Sequence, residues 1–142
     1  MSVVQVADEL LDLAVEAMRR NIRQLEYLKR EWIGKRGLGI ERWFEVELCA
    51  EIYLSGKLDF KKRGKGPDLE VQNFLVELKC PTDYNYPGWV LEGFKSQPKP
   101  HIVLFLAPTN NDFLNRLAKK AKNYKLKYKP VNSDWIVGYL VQ

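Results

Sequence analysis

The chain has 142 residues, 46% of them hydrophobic and 29% charged, with a formal net charge of +5. That is enough for one domain with a real core, and the balance excludes a disordered chain. No apolar run approaches membrane-spanning length, and two cysteines with one histidine cannot build a zinc or iron–sulfur cluster of the usual spacing, so a cytoplasmic protein with reduced thiols and no membrane partner is expected.

Residues 3–33 contain neither Gly nor Pro, and Val4, Ala7, Leu11, Ala14, Met18, Ile22, Leu25, Leu28 and Trp32 recur at spacings of three and four. This predicts one long helix with a heptad-like stripe. Two readings are open: a helix lying along its own domain, or one that meets a second subunit. The second is favoured because so long a helix is hard to cover with so small a domain. Residues 1–33 are therefore taken as an N-terminal helix and dimerisation element, and 34–142 as the main domain.

Gly34, Gly37 and Gly39 interrupt the pattern, and a second helix is predicted over 40–54. Its apolar side is Ile40, Trp43, Phe44, Leu48, Ile52 and Tyr53; its acids are Glu41, Glu45, Glu47 and Glu51. Gly56 stops it. A strand over 57–62 and a basic loop, Arg63-Gly64-Lys65-Gly66, come next.

Residues 66–79 read as two strands joined at Gln72-Asn73. With a two-residue loop, Val71 faces Phe74, and counting back sets Asp68 opposite Glu77. Alternation then puts Leu69, Val71, Phe74, Val76 and Leu78 on one face and Asp68, Glu70, Glu77 and Lys79 on the other. Opposed side chains have Cβ atoms roughly 5 Å apart, and like charges facing each other destabilise a hairpin. A cation between the carboxylates relieves that repulsion.

Beyond the hairpin lies an aromatic-rich loop over 81–88 that could stack on bases or pack on the core, then a short helix over 89–96. Residues 101–107 form a continuous apolar run, read as a buried strand, with His101 at its start taken as structural rather than as a catalytic base. Asn110 or Asn111 caps a helix reaching about Asn123, with Phe113, Leu114, Leu117, Ala118 and Ala121 inward. Alternation of Leu126, Tyr128 and Pro130 with Lys125, Lys127 and Lys129 predicts a Lys-guarded edge strand, and residues 135–141 close the sheet.

Pro67-Asp68 followed by Glu77-Leu78-Lys79 resembles the PD-(D/E)XK signature of the restriction-endonuclease-like nucleases. The phrase 36–42, RGLGIER, is similar to the opening of archaeal Holliday junction resolvases, where a Glu follows the Gly that begins the first helix. The resemblance spans about residues 36–107 and implies an α/β fold, a mixed central sheet flanked by helices, here preceded by the long N-terminal helix. It implies that Asp68 and Glu77 bind a divalent metal, Mg²⁺ or Mn²⁺, with the Leu78 backbone carbonyl, and that Lys79 orients or activates the attacking water. Glu41 is the third acid on this match, with Glu45, one turn further on, in reserve. The long N-terminal helix and the elements after Ala107 depart from the minimal resolvase pattern.

Charge is unevenly spread. Residues 54–66 hold Lys57, Lys61, Lys62, Arg63 and Lys65 against Asp59, and residues 116–129 hold seven bases and no acid. Such patches favour a polyanion, although a solvated, Lys-rich surface is the plain alternative. Lys61, Lys62, Arg63 and Lys65, with Lys119, Lys120 and Lys122, are the candidate DNA contacts. The combined expectation is a metal-dependent DNA endonuclease, selective for branched DNA like a Holliday junction resolvase and acting as a homodimer in recombination or repair. The alternatives are a flap, single-strand or restriction-type nuclease of the same fold, or a non-catalytic nucleic-acid-binding module.

Overall fold

In the computed structural model, which describes residues 1–32, 39–81 and 87–142, the apolar alternation builds a six-stranded mixed sheet with helices on both faces. The strands β1 (Phe60–Lys62), β2 (Leu69–Val71), β3 (Phe74–Lys79), β4 (Ile102–Pro108), β5 (Lys125–Pro130) and β6 (Trp135–Val141) lie in the order β1-β2-β3-β4-β6-β5. Only the β3–β4 pairing is parallel. The helices are α1 (Val3–Arg19), α2 (Ile22–Trp32), α3 (Ile40–Ser55), α4 (Gly88–Leu91), continued by a 3-10 turn over Glu92–Lys95, and α5 (Asn111–Lys120).

The continuous apolar run in β4 exists because that strand is buried on both faces. Ile102, Leu104 and Leu106 enter a core shared with α1, α2 and α3, whereas Val103, Phe105 and Ala107 enter a second core beneath α4 and α5. The neighbouring β6 splits likewise, with Trp135, Val137, Tyr139 and Val141 on the first side and Ile136 and Leu140 on the second. It is thus an interior strand, and the strand that ends the sheet is β5. The predicted Lys-guarded edge is present there: Lys127 and Lys129 pair with Asp8 (3.0 Å) and Asp12 (2.5 Å) of α1.

The N-terminal pattern is not one helix. The chain breaks at Arg20-Asn21, where Asn21 Nδ2 donates to the Ala17 carbonyl at 2.7 Å and the Asn21 N–H reaches Met18 O. A side-chain amide that bonds the preceding turn competes with helix continuation. The stripe folds onto its own domain. Val6, Ala7, Leu10, Leu11, Leu13, Ala14, Val15, Ala17 and Met18 are buried, a wider arc than a heptad seam, because α1 lies between the sheet and α3. Of the two readings of the stripe, α1 follows the first: it is core to its own domain.

Asn110 caps α5, its Oδ1 accepting from Phe113 N at 2.9 Å, and the helix ends at Lys120 rather than near Asn123. The first strand is three residues long, shorter than the predicted 57–62. The glycine-rich break at 33–38, which includes part of the RGLGIER phrase, and most of the aromatic loop (82–86) lie outside the described residues. Among the described residues no helix is long and apolar enough to cross a membrane.

Candidate active site

The hairpin register is the predicted one. Val71 pairs with Phe74, Glu70 with Leu75 and Leu69 with Val76. Gln72 and Asn73 both take positive φ, 49° and 70°, the geometry of a two-residue turn whose twist matches its strands. One step beyond Leu69–Val76, Asp68 faces Glu77. Narrow and wide pairs alternate along an antiparallel ladder, and Val71–Phe74 closes the turn as a hydrogen-bonded pair. Asp68–Glu77 is therefore a non-hydrogen-bonded position, where side chains approach most closely.

The Asp68 carboxyl lies close enough to Glu77 to act on its titration. Asp68 Oδ2 also accepts from Leu78 N at 2.8 Å, and the Asp68 carbonyl accepts from Arg63 N at 3.0 Å. Within a strand, a residue's N–H and carbonyl leave on the same side, so the Leu78 carbonyl lies on the β2 side of β3. Glu77 is only 7% exposed. Burial, reinforced by Asp68, pushes its carboxyl up to about 8, against opposing help from Ser96 and Lys79.

Two glycines allow the backbone to crowd this pair. Gly66, at φ +74°, enters β2 so close to Gln97 that a Cβ there would sit 2.5 Å from the Gln97 carbonyl oxygen. Gly93, in the 3-10 turn, lies on Val103 and on the Glu77 stem, where a Cβ would meet Val103 Cγ2 at 2.8 Å and Glu77 Cγ at 3.3 Å.

Lys79, two residues after Glu77 and on its face, reaches the same cleft. Its Nζ lies 3.9 Å from Glu41 Oε1 and 4.1 Å from the centroid of the Trp89 ring. Glu41, in the first turn of α3, accepts from the Cys80 backbone N–H; burial raises its carboxyl pKa despite Lys79, and Asp68 raises it further. Glu45, the reserve acid, is turned towards basic side chains, 3.4 Å from Lys62 Nζ and 3.7 Å from Arg42 Nη1. The cleft, about 320 Å³, is lined by Gly39, Glu41, Arg42, Glu45, Asp68, Glu77, Leu78 and Lys79. The sequence-predicted acids and Lys79 thus meet in one place. Among the described residues no three His, Cys, Asp or Glu side chains stand close enough to form a ready-made metal cage; the nearest approach is the two-carboxylate pair.

The basic residues divide. Lys61, Lys62, Arg63, Gly64 and Lys65 line an open groove of about 490 Å³ at the β1 edge, next to the cleft. Lys61 is paired with Glu70 at 2.8 Å and Lys62 with Glu45, whereas Arg63 and Lys65 have no carboxylate partner among the described residues, and Arg63 Nε is buried without a hydrogen bond. Lys119, Lys120 and Lys122 are not part of this surface. The α5 helix leaves the Pro108 end of β4, and the chain then returns to Lys125, which is level with Ile102, one residue before the Val103 that pairs with Glu77.

Sequence reasoning missed Ser96 and Trp89. The Ser96 hydroxyl donates to Glu77 Oε2 across 19 residues, and Trp89 covers Lys79. Only their place in the predicted helix after the hairpin hints at this. His101 is structural as expected, its Nδ1 accepting from Leu75 N at 2.9 Å and its ring edge-on to Phe74. No protein family, curated protein or solved structure matches this chain.

Proposed function

We propose that the protein is a divalent-metal-dependent endodeoxyribonuclease that hydrolyses phosphodiester bonds, with branched DNA such as a Holliday junction as its favoured substrate. The observation that carries this reading is the convergence of Asp68, Glu77 and Lys79, with Glu41 at the same cleft, beside a basic groove.

The donor set fits a hard cation. The repulsion of two facing carboxyls would be relieved by Mg²⁺ or Mn²⁺, both of which prefer oxygen ligands. Asp68 and Glu77 would hold the ion, with the Leu78 carbonyl and Glu41 completing the protein's share, and when bound it supplies Lewis acidity and an activated water. Glu77 gives up its proton on loading. Lys79, held between Glu41 and Trp89, orients the attacking water and opposes the negative charge that develops on the phosphate. Arg63 and Lys65 grip flanking phosphates of the substrate, being the cations of the groove not already paired with an acid.

Paired incision across a four-way junction requires two sites related by symmetry, which a C2 homodimer provides. With the α1 stripe buried, the apolar surface left for such an interface includes Val46, Tyr53 and Leu54 on α3, each more than half exposed. A nucleic-acid-binding module without cleavage is the second reading, favoured by the way Leu78 N and Ser96 already occupy the two carboxylates.

One assay separates these readings. Duplex, single-stranded, flap and four-way DNA are incubated with the protein and Mg²⁺ or Mn²⁺, with Asp68→Asn alongside. Metal-dependent cleavage that the variant lacks supports the nuclease, and preference for the four-way substrate supports the resolvase form. Binding without cleavage on every substrate supports the module instead.

A further inference from the structure

We propose that Ser96 is a positioning residue for Glu77, fixing that carboxylate in the orientation from which it takes a divalent cation. The proposal rests on Asp68 and Glu77 being the metal-binding pair. It begins with a hydroxyl that has no local task. Ser96 ends the 3-10 turn, and the turn is closed by its backbone N–H, which donates to the Gly93 carbonyl at 3.4 Å. The side chain is therefore not needed as a cap and instead donates to Glu77 Oε2.

A second observation points the same way. The turn can reach Glu77 only because Gly93 has no side chain: it sits against Val103, the Glu77 pairing partner on β4, and against Glu77 Cγ. The carboxylate is thus held at its stem by Gly93 and at one oxygen by Ser96. From the other side of the same short segment, Trp89 covers the Lys79 ammonium. Residues 88–96 touch both chemical side chains of β3 while contributing none of their own to the carboxylate pair.

A carboxylate that keeps one oxygen hydrogen-bonded to a fixed donor presents the other in a single direction. Removing such a partner from a ligating carboxylate typically costs about 10- to 100-fold in metal affinity. Ser96→Ala is therefore expected to weaken Mn²⁺ binding by about tenfold or more, with far-UV spectrum and melting temperature unchanged. Ser96→Thr, which keeps the hydroxyl, is expected to bind as the wild type does. Should the alanine variant melt early, Ser96→Cys, of nearly the same size but a weak donor, takes its place.

The test measures Mn²⁺ binding to the full chain by electron paramagnetic resonance or calorimetry, in the absence of DNA, beside DNA cleavage by the wild type. Weaker binding in Ser96→Ala with recovery in Ser96→Thr supports the proposal, whether or not the wild type cuts DNA. If the wild type cuts DNA and Ser96→Ala keeps its Mn²⁺ affinity, the proposal is overturned and the nuclease reading stands. A threonine variant as weak as alanine overturns the hydroxyl's role. A wild type that binds no Mn²⁺ overturns both.

Discussion

Asp68 and Glu77 face each other across the β2–β3 hairpin, and Asp68 adds to the burial that holds the Glu77 carboxyl above its ordinary range. Two acids that oppose each other within a sheet repel, and a proton or a cation between them relieves that repulsion.

Asp68→Asn and Glu77→Gln are expected to lower cleavage by at least about 10²-fold, because each removes charge from the site that stabilises the transition state. DNA binding in gel shifts should be retained or tightened, since one negative charge near phosphate is gone. Wild-type cleavage by both variants would end the nuclease reading.

The raised Glu77 carboxyl sets a pH dependence. Glu77 has its folded value raised from 4.5 to about 8, so the folded state binds more protons than the unfolded state between those values. Its contribution to stability is fully present below about 4.5 and is lost as pH rises through about 8. In chelator, the melting temperature should fall over this window, and Glu77→Gln should flatten the fall. Mg²⁺ should stabilise more at pH 8 than at pH 6, because loading displaces the proton. Thermal melts with and without Mg²⁺ measure all three effects.

Salt dependence should single out two cations. Arg63→Ala and Lys65→Ala are each expected to reduce the slope of log affinity against log salt by up to about one unit. Lys61→Ala and Lys62→Ala should change it less, since Glu70 and Glu45 already pair with those side chains. Equal slopes for all four groove variants would move the DNA surface elsewhere.

Lys79→Ala should remove cleavage and leave Mn²⁺ bound. Trp89→Leu, which deletes the ring 4.1 Å from Lys79 Nζ, should lower kcat up to about tenfold without changing Mn²⁺ affinity. Loss of metal affinity in either variant would show that they act through the carboxylates instead.

Deleting residues 1–21 should unfold the protein, not release a monomer, because α1 supplies a large part of one core. Leu10→Ala, at a fully buried position, should cost about 2–5 kcal/mol. Circular dichroism and sedimentation decide this; a folded, soluble truncation would contradict the packing described.

What the sequence determined by itself is what neighbours along the chain enforce. A two-residue turn between alternating strands leaves one register, so Asp68 meets Glu77 and Lys79 joins them on one face. An unbroken apolar run has one explanation in a sheet, burial on both faces, and β4 obeys it. The tertiary structure decided the rest. The three-and-four spacing of apolar residues continues through Asn21, so periodicity alone cannot detect the break that lets α1 lie between the sheet and α3. Lys61 and Lys62 read as free charges until packing brings Glu70 and Glu45 to them. Ser96 is 19 residues from Glu77 and reaches it only because Gly93 lets the turn settle on β3 and β4. Local spacing constrains geometry within an element, whereas contacts between elements depend on how whole faces pack, and no short stretch of sequence contains that.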